Sequence, residues 1–104
     1  MNIVGISACA AGIAHTYIAK EKLVDAAREA GHTIHIETQG TIGVESALDP
    51  DDIKNADVVI IAADVKVSGR ERFEGKKTVE VPTEVVIRSP KKLIKKVEEV
   101  VGAE

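Results

Sequence analysis

Apolar runs and stretches of helical spacing alternate along the chain. Asn2 to Ser7, NIVGIS, is short, apolar and rich in β-branched residues, which predicts a strand buried on both faces. From about Ile13 to Ala30 the pattern turns helical. Ala14, Tyr17, Ile18, Val24 and Ala27 can share a face, which leaves Lys20, Glu21, Arg28 and Glu29 to solvent. Gly31 is placed to cap that helix. Thr33 to Thr38 alternates, with Ile34 and Ile36 on one side, and predicts a second strand before the turn-rich Gln39 to Gly43. Asp49 to Lys54 carries Pro50 and acidic residues where a short helix would begin. Ala56 to Ala63, ADVVIIAA, gives the strongest strand signal, and Lys76 to Val81 predicts a fourth strand ending before Pro82. Val85 to Ile87 fits either a strand, which its β-branched residues favour, or a helical turn, which is the preferred reading. Ser89 and Pro90 then supply a cap and first-turn proline for a final helix with apolar positions Leu93, Ile94, Val97, Val100 and Val101, stopped at Gly102.

Strands that alternate with helices imply right-handed crossovers. The expected fold class is α/β: a small three-layer domain with a mainly parallel sheet of about four strands flanked by helices. In such sheets ligands sit beyond the carboxyl ends of the strands. The first loop of that kind follows Ser7 and contains Cys9.

Composition narrows the chemistry. At 104 residues, 44% hydrophobic and 30% charged, residues 1–104 are expected to form one domain. The longest uncharged apolar run, Val58 to Ala63, is far shorter than the ~20 residues of a membrane span, and the N-terminus lacks the layout of a signal peptide. A cytoplasmic protein is expected. A net charge of -3 and 2% aromatics argue against nucleic acid as a partner. One cysteine cannot close an intramolecular disulfide, and three scattered histidines give no zinc-type spacing, so no metal and no cofactor are expected.

Cys9 is therefore either a buried apolar group or a reactive one. Between Ser7 and the helix start near Ile13 runs ACAAG, whose small side chains leave backbone amides free to surround an anion. Amides at a helix N-terminus, with the helix dipole behind them, favour negative charge by about 0.3–1 kcal/mol at exposed sites. A thiolate and a phosphate would both gain. His15 and Thr16 fall in the first helical turn, where a ring N–H and a hydroxyl could donate to oxygens held above the loop. A tyrosine-phosphatase cradle needs an arginine six residues after its cysteine. Here that residue is His15, and no arginine lies between Val4 and Ala27. Without that bidentate donor, transfer is favoured over hydrolysis.

The motif C-x-x-G-I-A-H-T, present as Cys9, Gly12, Ile13, Ala14, His15 and Thr16, resembles the fructose-class (fructose-like) enzyme IIB components of the bacterial phosphoenolpyruvate-dependent sugar phosphotransferase system (PTS). The likeness continues through IETQG at Ile36 to Gly40, IGVE at Ile42 to Glu45, DIKNADVVIIAADVKV at Asp52 to Val67 and ERFEGK at Glu71 to Lys76. The resemblance implies that Cys9 accepts a phosphoryl group from a phosphohistidine on a cognate enzyme IIA and passes it to sugar bound by the membrane enzyme IIC. The protein would then work at the inner face of the membrane. Ala10, Ala11, Gly12, Ile13, Ala14, His15 and Thr16 are the candidate phosphate cradle. One departure stands out: where the family commonly has Cys-Pro-Thr-Gly, this chain has Cys-Ala-Ala-Gly, which removes a hydroxyl at Ala11 and restores an N–H at Ala10. A phosphatase-like hydrolase and a non-catalytic regulatory adaptor are the alternatives.

His32 and His35 are expected to serve surface or packing roles. A carboxylate would repel a thiophosphate, so Asp64 is assigned a structural or partner-contact role, with general acid as the lesser reading. Gln39 and Gly40 lie at the same sheet edge and are candidates to touch the loop or a partner. The basic run Arg88 to Lys96 is read as a solvated helix face rather than a surface for acidic protein or lipid. A monomer is expected, since no long apolar stripe is left over.

Overall fold

The computed structural model describes residues 1–9, 13–40 and 43–102. Strands β1 (Asn2–Ala8), β2 (Thr33–Gly40), β3 (Gly43–Glu45), β4 (Val58–Ala63) and β5 (Thr78–Val81) form one sheet in the order β3-β2-β1-β4-β5. Helices α1 (Ile13–Glu29), α2 (Pro50–Asn55), α3 (Thr83–Arg88) and α4 (Pro90–Gly102) connect or follow them, with a 3-10 helix at Arg70–Phe73. Pairing is parallel everywhere except between β2 and β3.

The apolar strands split their side chains between two cores. Ile3, Val58, Ile60 and Ala62 face Ala19, Leu23 and Ala27 of α1, Val86 of α3 and Leu93, Ile94 and Val97 of α4. Val4, Ile6, Val59 and Ile61 face Leu48, Ile53 of α2, Val67 and Phe73. The expected three layers follow from this two-sided burial.

Local signals explain the helix ends. The Asp49 carboxylate accepts from Asp51 N at 2.9 Å ahead of Pro50 at the start of α2. After α1, Gly31 takes φ +87° and the His32 N–H reaches Ala27 O at 2.9 Å, closing the helix as its glycine implied. The helical turn expected at Val85–Ile87 is α3.

Two expectations need correction. The sheet has five strands, not about four: β3 pairs antiparallel with the end of β2, Thr38 with Glu45 and Gly40 with Gly43. All three β3 residues are exposed, so no apolar alternation announced it. On α1 the buried stripe is Thr16, Ala19, Leu23, Ala26 and Ala27, while Tyr17 and Ile18 remain 37% and 40% exposed. The helix is rotated so that Ala19, Leu23, Ala26 and Ala27 lie in the core, while Tyr17 and Ile18 face out.

Candidate active site

The register of β1 decides what surrounds Cys9. Ala8 pairs with Gln39 of β2 on one side and with Ala63 of β4 on the other. The Asp64 N–H continues the second ladder to Ala8 O at 3.1 Å, which brings the next residues, Cys9 and Asp64, side by side beyond the carboxyl ends of both strands. The Cys9 Sγ donates to Asp64 Oδ2 at 3.2 Å. His15, in the first turn of α1, puts its Nδ1 at 3.9 Å from the same sulfur.

Asp64 is itself held from α3. Its Oδ1 accepts from the Thr83 N–H at 3.1 Å and its Oδ2 from the Thr83 hydroxyl at 2.5 Å. The carboxylate thus satisfies an N–H at the start of α3 that has no partner inside the helix. The Thr83 hydroxyl is the main reason the Asp64 carboxyl is held below the usual aspartate range; desolvation opposes it, and the Cys9 thiol, the Thr83 N–H and the field of His15 add to the lowering. Asp64 is therefore ionised at neutral pH. Its partners make it a structural acceptor, and its place against the sulfur makes it part of the site as well.

Two clefts open beside the sulfur. One, of about 560 Å³, is lined by Cys9, His15, Asp64, Thr83, Ile87 and Arg88, among others. The second, of about 390 Å³, is lined by Cys9, Gln39, Gly40, Val44, Val65, Lys66 and Ser68, among others. Val44 and Val65 are 52% and 40% exposed and give that side an apolar rim. Gln39 is fixed to the opposite wall: its amide nitrogen donates to Ser68 O at 2.9 Å and its oxygen accepts from Ser68 N at 3.0 Å.

Of the residues expected to cradle phosphate, Ala10, Ala11 and Gly12 lie outside the described residues. Ile13 and Ala14 are described only as the start of α1. Thr16 is 3% exposed, its carbonyl accepts from the Ser7 hydroxyl at 2.8 Å, and its own hydroxyl has no partner among the described residues. His32 and His35 lie away from the sulfur, as expected. His32 Nε2 meets Glu98 Oε2 at 2.8 Å, and His35 Nε2 meets Ser46 O at 3.0 Å.

Sequence reasoning passed over Thr83, Ser68, the buried Glu37 that accepts from the Gln39 amide, and the partly exposed Arg72 paired with Glu37. A signal for Glu37 existed. If β2 lies inside a sheet covered on both faces, the residue after Ile36 must be buried too, and a buried carboxylate requires a cation.

A family model described as "PTS system, Lactose/Cellobiose specific IIB subunit" matches residues 4–96. The "PTS system fructose-like EIIB component 2" of Escherichia coli (strain K12) is 38% identical over 97 residues, 93% of this chain and 92% of that protein. This chain belongs to the PTS enzyme IIB family. The solution structure of an Enzyme IIB subunit of the PTS system from Escherichia coli K12 matches the fold with a TM-score of 0.91 at 34% identity, covering 98% of this chain and 94% of that one. A 95-residue stretch, 91% of this chain, is 42% identical to part of the "PTS system fructose-specific EIIABC component" of Bacillus subtilis (strain 168), of which it makes up 15%.

As a PTS IIB component the chain is a phosphotransferase, a phosphoryl carrier in sugar uptake. The relative that joins A, B and C components in one polypeptide is consistent with IIA and IIC partners. Among the described residues no helix is long and apolar enough to cross a membrane.

Proposed function

We propose that Cys9 is the phosphoryl-carrying nucleophile of this IIB component. In the first step Cys9 Sγ attacks the phosphorus of a phosphohistidine on enzyme IIA. The S–P bond forms as the P–N bond breaks, the thiol proton leaves, and the released imidazole takes up one proton. In the second step a hydroxyl of sugar bound by enzyme IIC attacks the phosphorus, the S–P bond breaks, and the sulfur regains a proton. Backbone N–H groups from Ala10 to Ala14, with His15 and Thr16, hold the phosphoryl oxygens.

The observation that carries this reading is the position of the sole cysteine: beyond the carboxyl end of β1, just ahead of α1, and at the meeting of two open clefts. The Thr16 hydroxyl adds support. It is a buried donor without an acceptor among the described residues, and a phosphoryl oxygen would supply one, worth about 1–3 kcal/mol. The exposed Val44 and Val65 beside the sulfur supply apolar area for transient docking of partners.

Residues 1–104 act in this reading as a single monomeric IIB unit on the cytoplasmic side, meeting the membrane through IIC. The sugar is fructose or fructose-like, after the names of its relatives.

Intact mass after incubation with phosphoenolpyruvate, enzyme I, the histidine phosphocarrier and a fructose-class IIA tests the proposal. Wild type gains one phosphoryl mass and Cys9→Ala gains none. Equal gain by both proteins, or no gain from a demonstrably phosphorylated IIA, would overturn it. The same samples assayed with an aryl phosphate test the hydrolase alternative, which predicts sustained turnover that Cys9→Ser abolishes.

A further inference from the structure

Asp64 poses a problem for the chemistry just described, because an ionised carboxylate in contact with the sulfur opposes both a thiolate and a phosphoryl group on it. The contact is also no accident of a loose side chain. Asp64 is tied to β1 through its own N–H and to α3 through both carboxylate oxygens, so it cannot swing away without giving up the Thr83 hydroxyl and N–H. The groups facing the sulfur divide by charge. His15 from α1 favours an anion there, and Lys66, on the segment after β4, adds positive charge across the second cleft. Glu84 from α3 joins Asp64 in opposing it, and Arg88 is engaged with Glu84 at 3.5 Å.

Resting on the reading of Cys9 as carrier, we propose that Asp64 is a catalytic residue: it holds the resting Cys9 as a hydrogen-bond-donating thiol, accepts that proton as the S–P bond forms, and then repels the new phosphoryl group. In the first step the S–H proton passes to Oδ2 and on to solvent, while the donor imidazole takes a proton from solvent, so the exchange is proton-neutral. The carboxylate that was a partner to the thiol becomes a like charge beside the thiophosphate. The carrier is thereby kept from holding the group too tightly for a sugar hydroxyl to remove it. Thr83 makes the device work by fixing Asp64 in both states.

Alkylation of the full chain by iodoacetamide tests the coupling whether or not Cys9 ever carries phosphate, with Cys9→Ala as the blank. Near neutral pH, Asp64→Asn is expected to react about threefold to tenfold faster than wild type. The gain should fade at alkaline pH, where the thiol is ionised in both proteins. An unchanged rate, or a gain of the same factor at every pH, would overturn the proposal, the second because it reports only a less shielded sulfur. If Asp64→Asn loses its cooperative melt, Thr83→Val is read in its place. It keeps the charge and loosens it, and the same pH-dependent gain, smaller in size, is expected. The phosphorylated fraction of Asp64→Asn at a limiting donor supply should also exceed that of wild type; an equal or lower fraction would overturn the repulsive half of the proposal.

Discussion

The Arg72 guanidinium meets the Glu37 carboxylate through two parallel hydrogen bonds, Nη1 to Oε1 at 2.9 Å and Nη2 to Oε2 at 3.0 Å. Glu37 is almost wholly buried. The Leu48 N–H and the Gln39 amide fill its remaining acceptor sites at 3.0 and 2.9 Å. Arg72 also donates from Nε to Gly69 O at 2.7 Å and lies over the Phe73 ring. This one contact ties β2 to the segment between β4 and β5, and through Gln39 and Ser68 it sets the wall of a cleft beside Cys9.

Removing Arg72 leaves the Glu37 carboxylate buried and uncompensated. Arg72→Ala is expected to cost about 3–5 kcal/mol of unfolding free energy, read by urea denaturation. Glu37→Gln keeps the shape and loses the charge. It should cost less than Arg72→Ala, since the Arg72 head is partly exposed and can turn to water.

The same pair predicts a pH response. Burial would push the Glu37 carboxyl up, but hydrogen bonds from Arg72, Gln39 and Leu48, with the charge of Arg72, bring it down to about 2 from the ordinary 4.5. A lowered carboxyl contributes stability that is present above about pH 4.5 and is lost as pH falls towards about 2. The amount is on the order of 3 kcal/mol. Melting temperature should therefore fall across that window in wild type and more gently in Glu37→Gln; parallel curves would contradict the assignment.

Much of this site could be read from the pattern of the chain, and the unread part has a physical cause. NIVGIS and VVIIAA are apolar because they are central strands, so the loop after the first had to end beside the end of the second. That places Cys9 and Asp64 at one edge of the sheet from the pattern of the chain alone. The contact between them depends on register, which fixes Ala8 opposite Ala63 and which no periodicity in a two-sided buried strand specifies. Thr83 was invisible for a related reason: its role depends on where α3 starts relative to the end of β4. β3 escaped because Gly43, Val44 and Glu45 are all exposed and carry no apolar alternation.

Thr83 offers a sharper test of stability at the site. Its hydroxyl donates to a charged acceptor, and its own side chain is buried. Thr83→Val keeps the shape and the N–H contact but loses that bond, and should cost about 1–3 kcal/mol in unfolding free energy. Thr83→Ser restores the donor and should recover most of the loss. If valine instead stays close to wild type and serine is the costlier change, packing of the methyl group rather than the hydrogen bond sets the stability.

Gly5 carries the last prediction. It lies at the centre of β1, paired with Ile36 on one side and Ile60 on the other. A Cβ built there would stand 2.2 Å from the Ile60 carbonyl oxygen and 3.0 Å from the Ile36 side chain. The first of these is backbone in a central strand and cannot move aside without parting β1 from β4. Gly→Ala in a strand would otherwise stabilise by removing freedom from the unfolded chain, so the sign of the effect separates the two influences. Contact wins here, because the gain is under about 1 kcal/mol and overpacking costs about 1–3 kcal/mol or more. Gly5→Ala should therefore lower the denaturation midpoint. Because β1 also delivers Cys9 to Asp64, its iodoacetamide rate should shift as well, while a surface substitution of equal stability cost should leave that rate alone.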